Sequence, residues 1–217
     1  LRNRIAGATI DHDGDGTYEY GTFYSYDIHG NVHELIQHNK EMPTFLTTHA
    51  FKKMNYEYDL VSGNVNAVHY QDGKEDQFHH KYMYDQANRI TDVLTSSDGM
   101  IWKNDARYFY YEHGPLARME LGDENVQGVD YAYNLQGWIK GVNSTALTAE
   151  NDMGHDGLSA SINSTFATDA FSYGISYYNG DYNPIGSSDW QAKQQGSGMD
   201  NGELFNGNIR NMTTSIE

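Results

Sequence analysis

Five times in this chain two tyrosines stand two residues apart ahead of a turn. Tyr24 and Tyr26 lead through Asp27 to Gly30, then Val32 and Leu35. Tyr56 and Tyr58 lead through Asp59, with one residue inserted, to Gly63, Val65 and Val68. Tyr82, Tyr84 and Asp85 lead to Asn88, Ile90 and Val93. Tyr108 and Tyr110 lead to Gly114, Leu116 and Met119, and Tyr131 and Tyr133 to Gly137, Ile139 and Val142. The copies begin 23 to 32 residues apart, a period that signals a repeat architecture.

One unit is readable from its residue types. Side chains alternate along a strand, so Tyr-x-Tyr places two rings on one face. The Asp can accept a hydrogen bond from the backbone two residues on, and the Gly tolerates positive φ, as the Asn at position 88 also does. Apolar residues two and five places after the Gly break strict alternation, which predicts a β-bulge or a strand covered on both faces. Asp72-Gly73 and Asp98-Gly99 are hairpin signals between units. A two- or three-stranded unit cannot bury its own face, so units must stack and the sheet grows by accretion. The expectation is an all-β fold of stacked hairpins over one continuous segment, residues 1–217.

Composition excludes several classes. With 18 Tyr and 22 Gly but 3 Pro the chain favours strands and turns, and its aromatic content opposes disorder. A formal net charge of −16 argues against nucleic-acid partners, because neutralising phosphates needs clustered Lys and Arg. The chain has no Cys, hence no disulfide and no thiolate metal site. No apolar run is long enough for a membrane span, and the opening residues lack a signal-peptide layout; the strand-like "LRNRIAGATI" reads as the middle of a sheet, a piece of something longer.

The repeat resembles the YD repeat of Rhs proteins, the family that includes the shell-forming component of insecticidal Tc toxins and the teneurins. The resemblance covers about residues 20–145, and the segments 133–144, 171–186 and 204–212 further resemble Rhs proteins of the Bacteroidetes. It implies a sheet spiralling into a hollow β-shell that often encloses a toxic C-terminal domain of the same polypeptide. It implies as partners the remainder of that polypeptide, its C-terminal effector, and secretion-machinery or cell-surface components, with a secreted or cell-surface location in a bacterium. Rhs cores commonly end in an Asp-Pro motif linked to self-cleavage. No Asp-Pro occurs here, so the resemblance implies a segment interior to the core. Composition and spacing by themselves indicate stacked hairpins, not a shell.

Two stretches break the rhythm. Residues 143–170 and 185–202 are rich in Ser, Asn and Gly and read as loop insertions between strands, with a short helix expected near 145–151 and Trp190 as a candidate pin for the second.

The sharpest chemical motif is the acidic turn at 11–16, Asp11-His-Asp13-Gly-Asp15-Gly16. Its carboxylates at positions one, three and five match the start of a Ca²⁺ loop, with Thr17 and Glu19 at seven and nine. Thr22 stands where an EF-hand needs its bidentate Glu, and the flanks read as strands, so an EF-hand is not expected. A Ca²⁺-stapled hairpin and an unmetallated acidic turn remain alternatives, structural either way. The ten His residues offer no zinc site: His33-Glu34 with His38 misses metalloprotease spacing, and the adjacent His79 and His80 point to opposite faces. No nucleophile elbow, P-loop or dinucleotide fingerprint is present, and no catalytic residue is expected. The function expected is a structural wall segment that encloses or delivers an effector. An adhesin presenting tyrosines to glycans is one rival, and an enzyme with a cleft between the two insertions is the other.

Overall fold

The computed structural model describes residues 3–43, 49–183 and 202–217. Nearly all of the 185–202 insertion, with Trp190, lies outside the described residues. The fold is all-β. The chain divides into two compact units, Leu1–Asn104 and Asp105–Glu217.

The first unit carries β1 (Gly7–Ile10), β2 (Tyr20–Tyr26), β3 (Val32–Asn39), β4 (Phe51–Tyr58), β5 (Val65–Tyr70), β6 (Phe78–Tyr84) and β7 (Ile90–Ser96). Each pairs antiparallel with the next. β8 (Lys103–Tyr110) begins at the boundary. The second unit continues with β9 (Leu116–Leu121), β10 (Gln127–Tyr133), β11 (Ile139–Val142), β12 (Phe171–Ser176) and β13 (Asn211–Ile216), again antiparallel neighbours in chain order.

Each of the five copies forms a hairpin with one and the same register. Tyr24 faces Leu35 and Tyr26 faces Val32, while Ser25 faces Glu34, so His33 has no opposite number. The same step recurs with Tyr56–Val68 and Tyr58–Val65, with Tyr82–Val93 and Tyr84–Ile90, with Tyr108–Met119 and Tyr110–Leu116, and with Tyr131–Val142 and Tyr133–Ile139. The residues passed over are Asn66, Thr91, Ala117 and Lys140. A bulge explains the odd spacing. Two residues three apart fall on opposite faces of a regular strand, but one extra residue takes up a step and sets both opposite the tyrosines. Cross-strand aromatic–aliphatic pairs of this kind contribute roughly 0.2–1 kcal/mol each.

The turns are closed alike. The Asp27 amide donates to the Asn31 carbonyl, Asp85 to Arg89 and Asn134 to Trp138, all at 2.9 Å. The Asp27 carboxylate accepts from the amides of Gly30 and Asn31, and Asp85 from Ala87 and Arg89. Gly30, Gly63, Gly114 and Gly137 lie at φ between 76° and 118°, and Asn88 at 60°. That left-handed conformation is the reason for Gly or Asn there.

Units are tied by a second contact. The second tyrosine of one copy donates its hydroxyl to the carbonyl of the first apolar residue of the copy before it: Tyr58 to Val32 at 2.9 Å and Tyr84 to Val65 at 2.7 Å. The same bond exposes two partial copies at the ends. Tyr26 donates to Ile5, two residues after Asn3, which has φ of 67°. Tyr177, after Ile175, donates to Ile139.

The two units differ in burial. In the first, Ala67 is the one fully buried apolar side chain among the described residues, and the tyrosines are half-buried. The second buries Ala106, Ala132, Val142, Phe166, Ile175 and Tyr177. Residues 145–151 form turns where a helix was expected, with Leu147 bonded to Ser144 and Asn151 to Thr148 through the backbone. Seven residues are too few to repay helix nucleation, and the local turns satisfy the same backbone groups.

Candidate functional site

Among the described residues, the carboxylates able to gather a metal fall in two acidic groups, one in each unit. The first is the exposed loop between β1 and β2. Asp11 accepts from the amides of Gly14 (2.7 Å) and Gly16 (3.0 Å) through its two oxygens. Asp13 accepts from the Asp15 amide at 3.1 Å, and Asp15 from the amide and hydroxyl of Thr17. Glu19 accepts from the His12 amide at 2.6 Å. The Thr17 hydrogen bonds hold the Asp15 carboxyl below its ordinary range. One oxygen from each of Asp11, Asp13, Asp15 and Glu19 lies within 4.8 Å of the others, so the loop gathers the hard donors that Ca²⁺ takes.

The second group is buried and was invisible as a motif. Arg118 on β9 and Asp130 on β10 are directly opposed in register. The guanidinium reaches Asp130 at 2.5 Å, Asp156 at 2.7 Å and Glu120 at 3.1 Å, and lies 4.9 Å from the ring of Phe166. Asp130, Asp152, Asp156 and Asp169 are each at least nine-tenths buried, Asp156 completely. Oxygens from Asp130, Asp152 and Asp156 converge within 4.8 Å. Burial pushes the Asp130 carboxyl up to about 7, with Asp152 and Asp156 adding repulsion against the pull of Arg118. Burial also raises Asp169, helped by the Asp152 carboxyl facing it.

The 143–170 insertion supplies three of these four carboxylates, and it returns to the sheet through several contacts. Asn125 donates to Thr165 and Ala167 makes a bridge to Gln127, while within the insertion Asn163 donates to the Gly154 carbonyl. Beside it, Lys140, the extra residue of the fifth bulge, makes a buried two-oxygen contact with Asp181 at 2.7 and 2.9 Å.

The histidines are scattered over strands and turns, with one pairing that adjacency along the chain does not show. His69 and His79 face each other across β5 and β6 with their Nδ1 atoms 2.8 Å apart. His69 also lies 3.3 Å from Glu57. His79 is buried while His80, its neighbour, is not. No helix among the described residues is long and apolar enough to cross a membrane.

No protein-family model matches the chain, and no curated protein does. Among solved structures, a crystal structure titled TcdB2-TccC3-Cdc42 matches at 15% identity and a TM-score of 0.44, over 64% of this chain. A crystal structure of TcdB2-TccC3 without its hypervariable C-terminal region gives the same values. A Tc holotoxin pore from Photorhabdus luminescens matches at 12% identity and a TM-score of 0.34, over 75% of this chain. The chain spans 8% of the length of each.

Proposed function

We propose that this chain is a wall segment of a bacterial Rhs-type protein, secreted or displayed at the cell surface. In this reading the wall encloses or delivers a C-terminal effector, and the segment catalyses nothing. The observation that carries it is the single bulged register written five times over. A sheet that repeats one bulged step in five hairpins, and ties copies by tyrosine bonds such as Tyr58 to Val32 and Tyr84 to Val65, is built for extension, not for one convergent pocket. The acidic turn at 11–16 serves this reading as a Ca²⁺ staple across the β1–β2 connection.

The adhesin rival fares less well on the same atoms. Tyr58 and Tyr84 are half-buried and commit their hydroxyls to backbone carbonyls, so they are rungs before they are a sugar platform. The test is native size exclusion of the natural polypeptide that carries this chain, followed by a denaturing gel and intact mass. A cleaved tail that co-elutes with the core is the expected result. A single uncleaved chain, together with binding of this segment to a glycan array, would overturn the reading in favour of an adhesin.

A further inference from the structure

We infer that Asp130, Asp152 and Asp156, with Asp169 beside Asp152, form a buried site for a hard divalent cation, Ca²⁺ by their chemistry, which fastens the 143–170 insertion to β9 and β10.

Charge comes first. Beside four buried carboxylates and the nearby Glu120, the described residues place one guanidinium, that of Arg118, which pairs with Glu120, Asp130 and Asp156. Ionised carboxylates removed from water are strongly unfavourable unless paired, and one Arg cannot pair four. Either protons or a cation must supply the difference.

Unused oxygens point to the cation. Arg118 takes Oδ2 of Asp130 and Oδ1 of Asp156. The other Asp156 oxygen, Oδ1 of Asp152 and both oxygens of Asp169 are buried without a hydrogen-bond donor among the described residues. Asp169 adjoins the group through Asp152: its side chain is buried, the Asp152 carboxyl faces it, and neither oxygen has a donor among the described residues. Nearly all buried polar atoms in folded proteins are partnered, so four orphan oxygens in one cluster call for a ligand.

Geometry and donor type name the class. Ca²⁺ binds oxygen at about 2.3–2.6 Å, so two of its ligands stand at most about 5 Å apart. Oxygens of Asp130, Asp152 and Asp156 lie within 4.8 Å of one another. All donors are carboxylates, with no imidazole or thiolate, which selects a hard ion. Mg²⁺ insists on octahedral geometry and keeps several waters, whereas Ca²⁺ accepts irregular, two-oxygen carboxylates of the kind this enclosed cluster offers.

Two positions in the wall carry no side chain because none would fit. A Cβ on Gly128 would collide with Arg118 and Asp156, and one on Gly154 with Arg118 and Asp130. The bare backbone at both positions lets the insertion close over the cluster.

The inference stands apart from the wall reading and from the acidic turn, and the experiment separates them. The chain carrying Asp13→Ala, which disables the exposed turn, is stripped with chelator and titrated with CaCl₂. Bound metal is counted by native mass spectrometry and the melting temperature is followed in parallel. One Ca²⁺ per chain is expected, with a rise of about 5–10 °C at a hundredfold excess over Kd. Adding Asp169→Asn should remove both the metal and the rise. No bound Ca²⁺ in the Asp13→Ala protein would overturn the inference. So would an Asp169→Asn melting temperature raised equally in Ca²⁺ and in chelator, which marks a shared proton instead. Should Asp169→Asn fail to fold, the metal count on Asp13→Ala decides alone.

Discussion

The two acidic groups use the same side chain in opposite circumstances. In the β1–β2 loop the carboxylates sit within nine residues, stay in water, and accept hydrogen bonds from their own backbone. In the second unit the carboxylates come from β10 and three points of a long insertion, and burial leaves them oxygens that nothing among the described residues satisfies. Exposure makes charge inexpensive, so the loop holds its form by itself and a cation there adds a modest staple. Burial makes the same charge a structural demand. Acidic residues therefore matter here by where the chain takes them, not by how densely the sequence lists them.

The sharpest way to break that comparison is Arg118→Met. It strands Asp130 and Asp156 without their guanidinium and should cost about 3–5 kcal/mol in urea denaturation. A loss within the range of ordinary surface substitutions would mean the cluster is not under charge stress.

The pH response should differ in sign between buried and turn carboxylates. Asp130 and Asp169 have folded-state values above the unfolded value of about 3.9, so the native state holds protons that the unfolded chain releases. In chelator, their contribution is complete below about pH 4 and is lost as pH rises through about 7 for Asp130 and through a higher value still for Asp169. The melting temperature should fall between pH 5 and pH 8. Asp59 and Asp85 are instead lowered, by the amides of Ser62 and Arg89 first of all. Their contribution is present above the ordinary carboxylate value and is lost only as pH falls through their own lower ones. A melting temperature that climbs from pH 5 to pH 8 in chelator would contradict the placement of Asp130 and Asp169.

Tyr58→Phe removes one hydroxyl bond between copies and should cost about 1 kcal/mol, read as a lower urea midpoint with unchanged slope. The smallest effect belongs to Asp13→Ala measured in chelator, where the melting curve should scarcely move, since Asp13 is exposed and accepts one bond from its own loop. In Ca²⁺ the same substitution should lose the part of the stabilisation due to the turn.

What was legible in the sequence was what is local. Tyr-x-Tyr, the turn Asp and the Gly lie within a few residues, so strand, turn and face can all be read from them. Even the apolar pair spaced by three declared an irregularity, and the bulges at His33, Asn66, Thr91, Ala117 and Lys140 are its physical form. The partial copies at Asn3–Ile5 and Ile175–Tyr177 escaped notice because neither shows the Tyr-x-Tyr pair, and the hydroxyl bond that reveals them spans distant residues. The buried cluster was not legible, because Asp152, Asp156 and Asp169 sit in a polar stretch that resembles any solvated loop. One signal was there: Asp130 alternates with Gly128 and Ala132 on the buried face of β10, opposite Arg118, where a charge needs a reason.

The most direct test of the central claim is an electron cryomicroscopy map of the natural polypeptide that contains this chain. The account predicts that the five-copy sheet continues into a closed wall around a cavity, with density for the effector inside it. A sheet that stops at β1 and β13, with solvent on both faces and nothing enclosed, would contradict it.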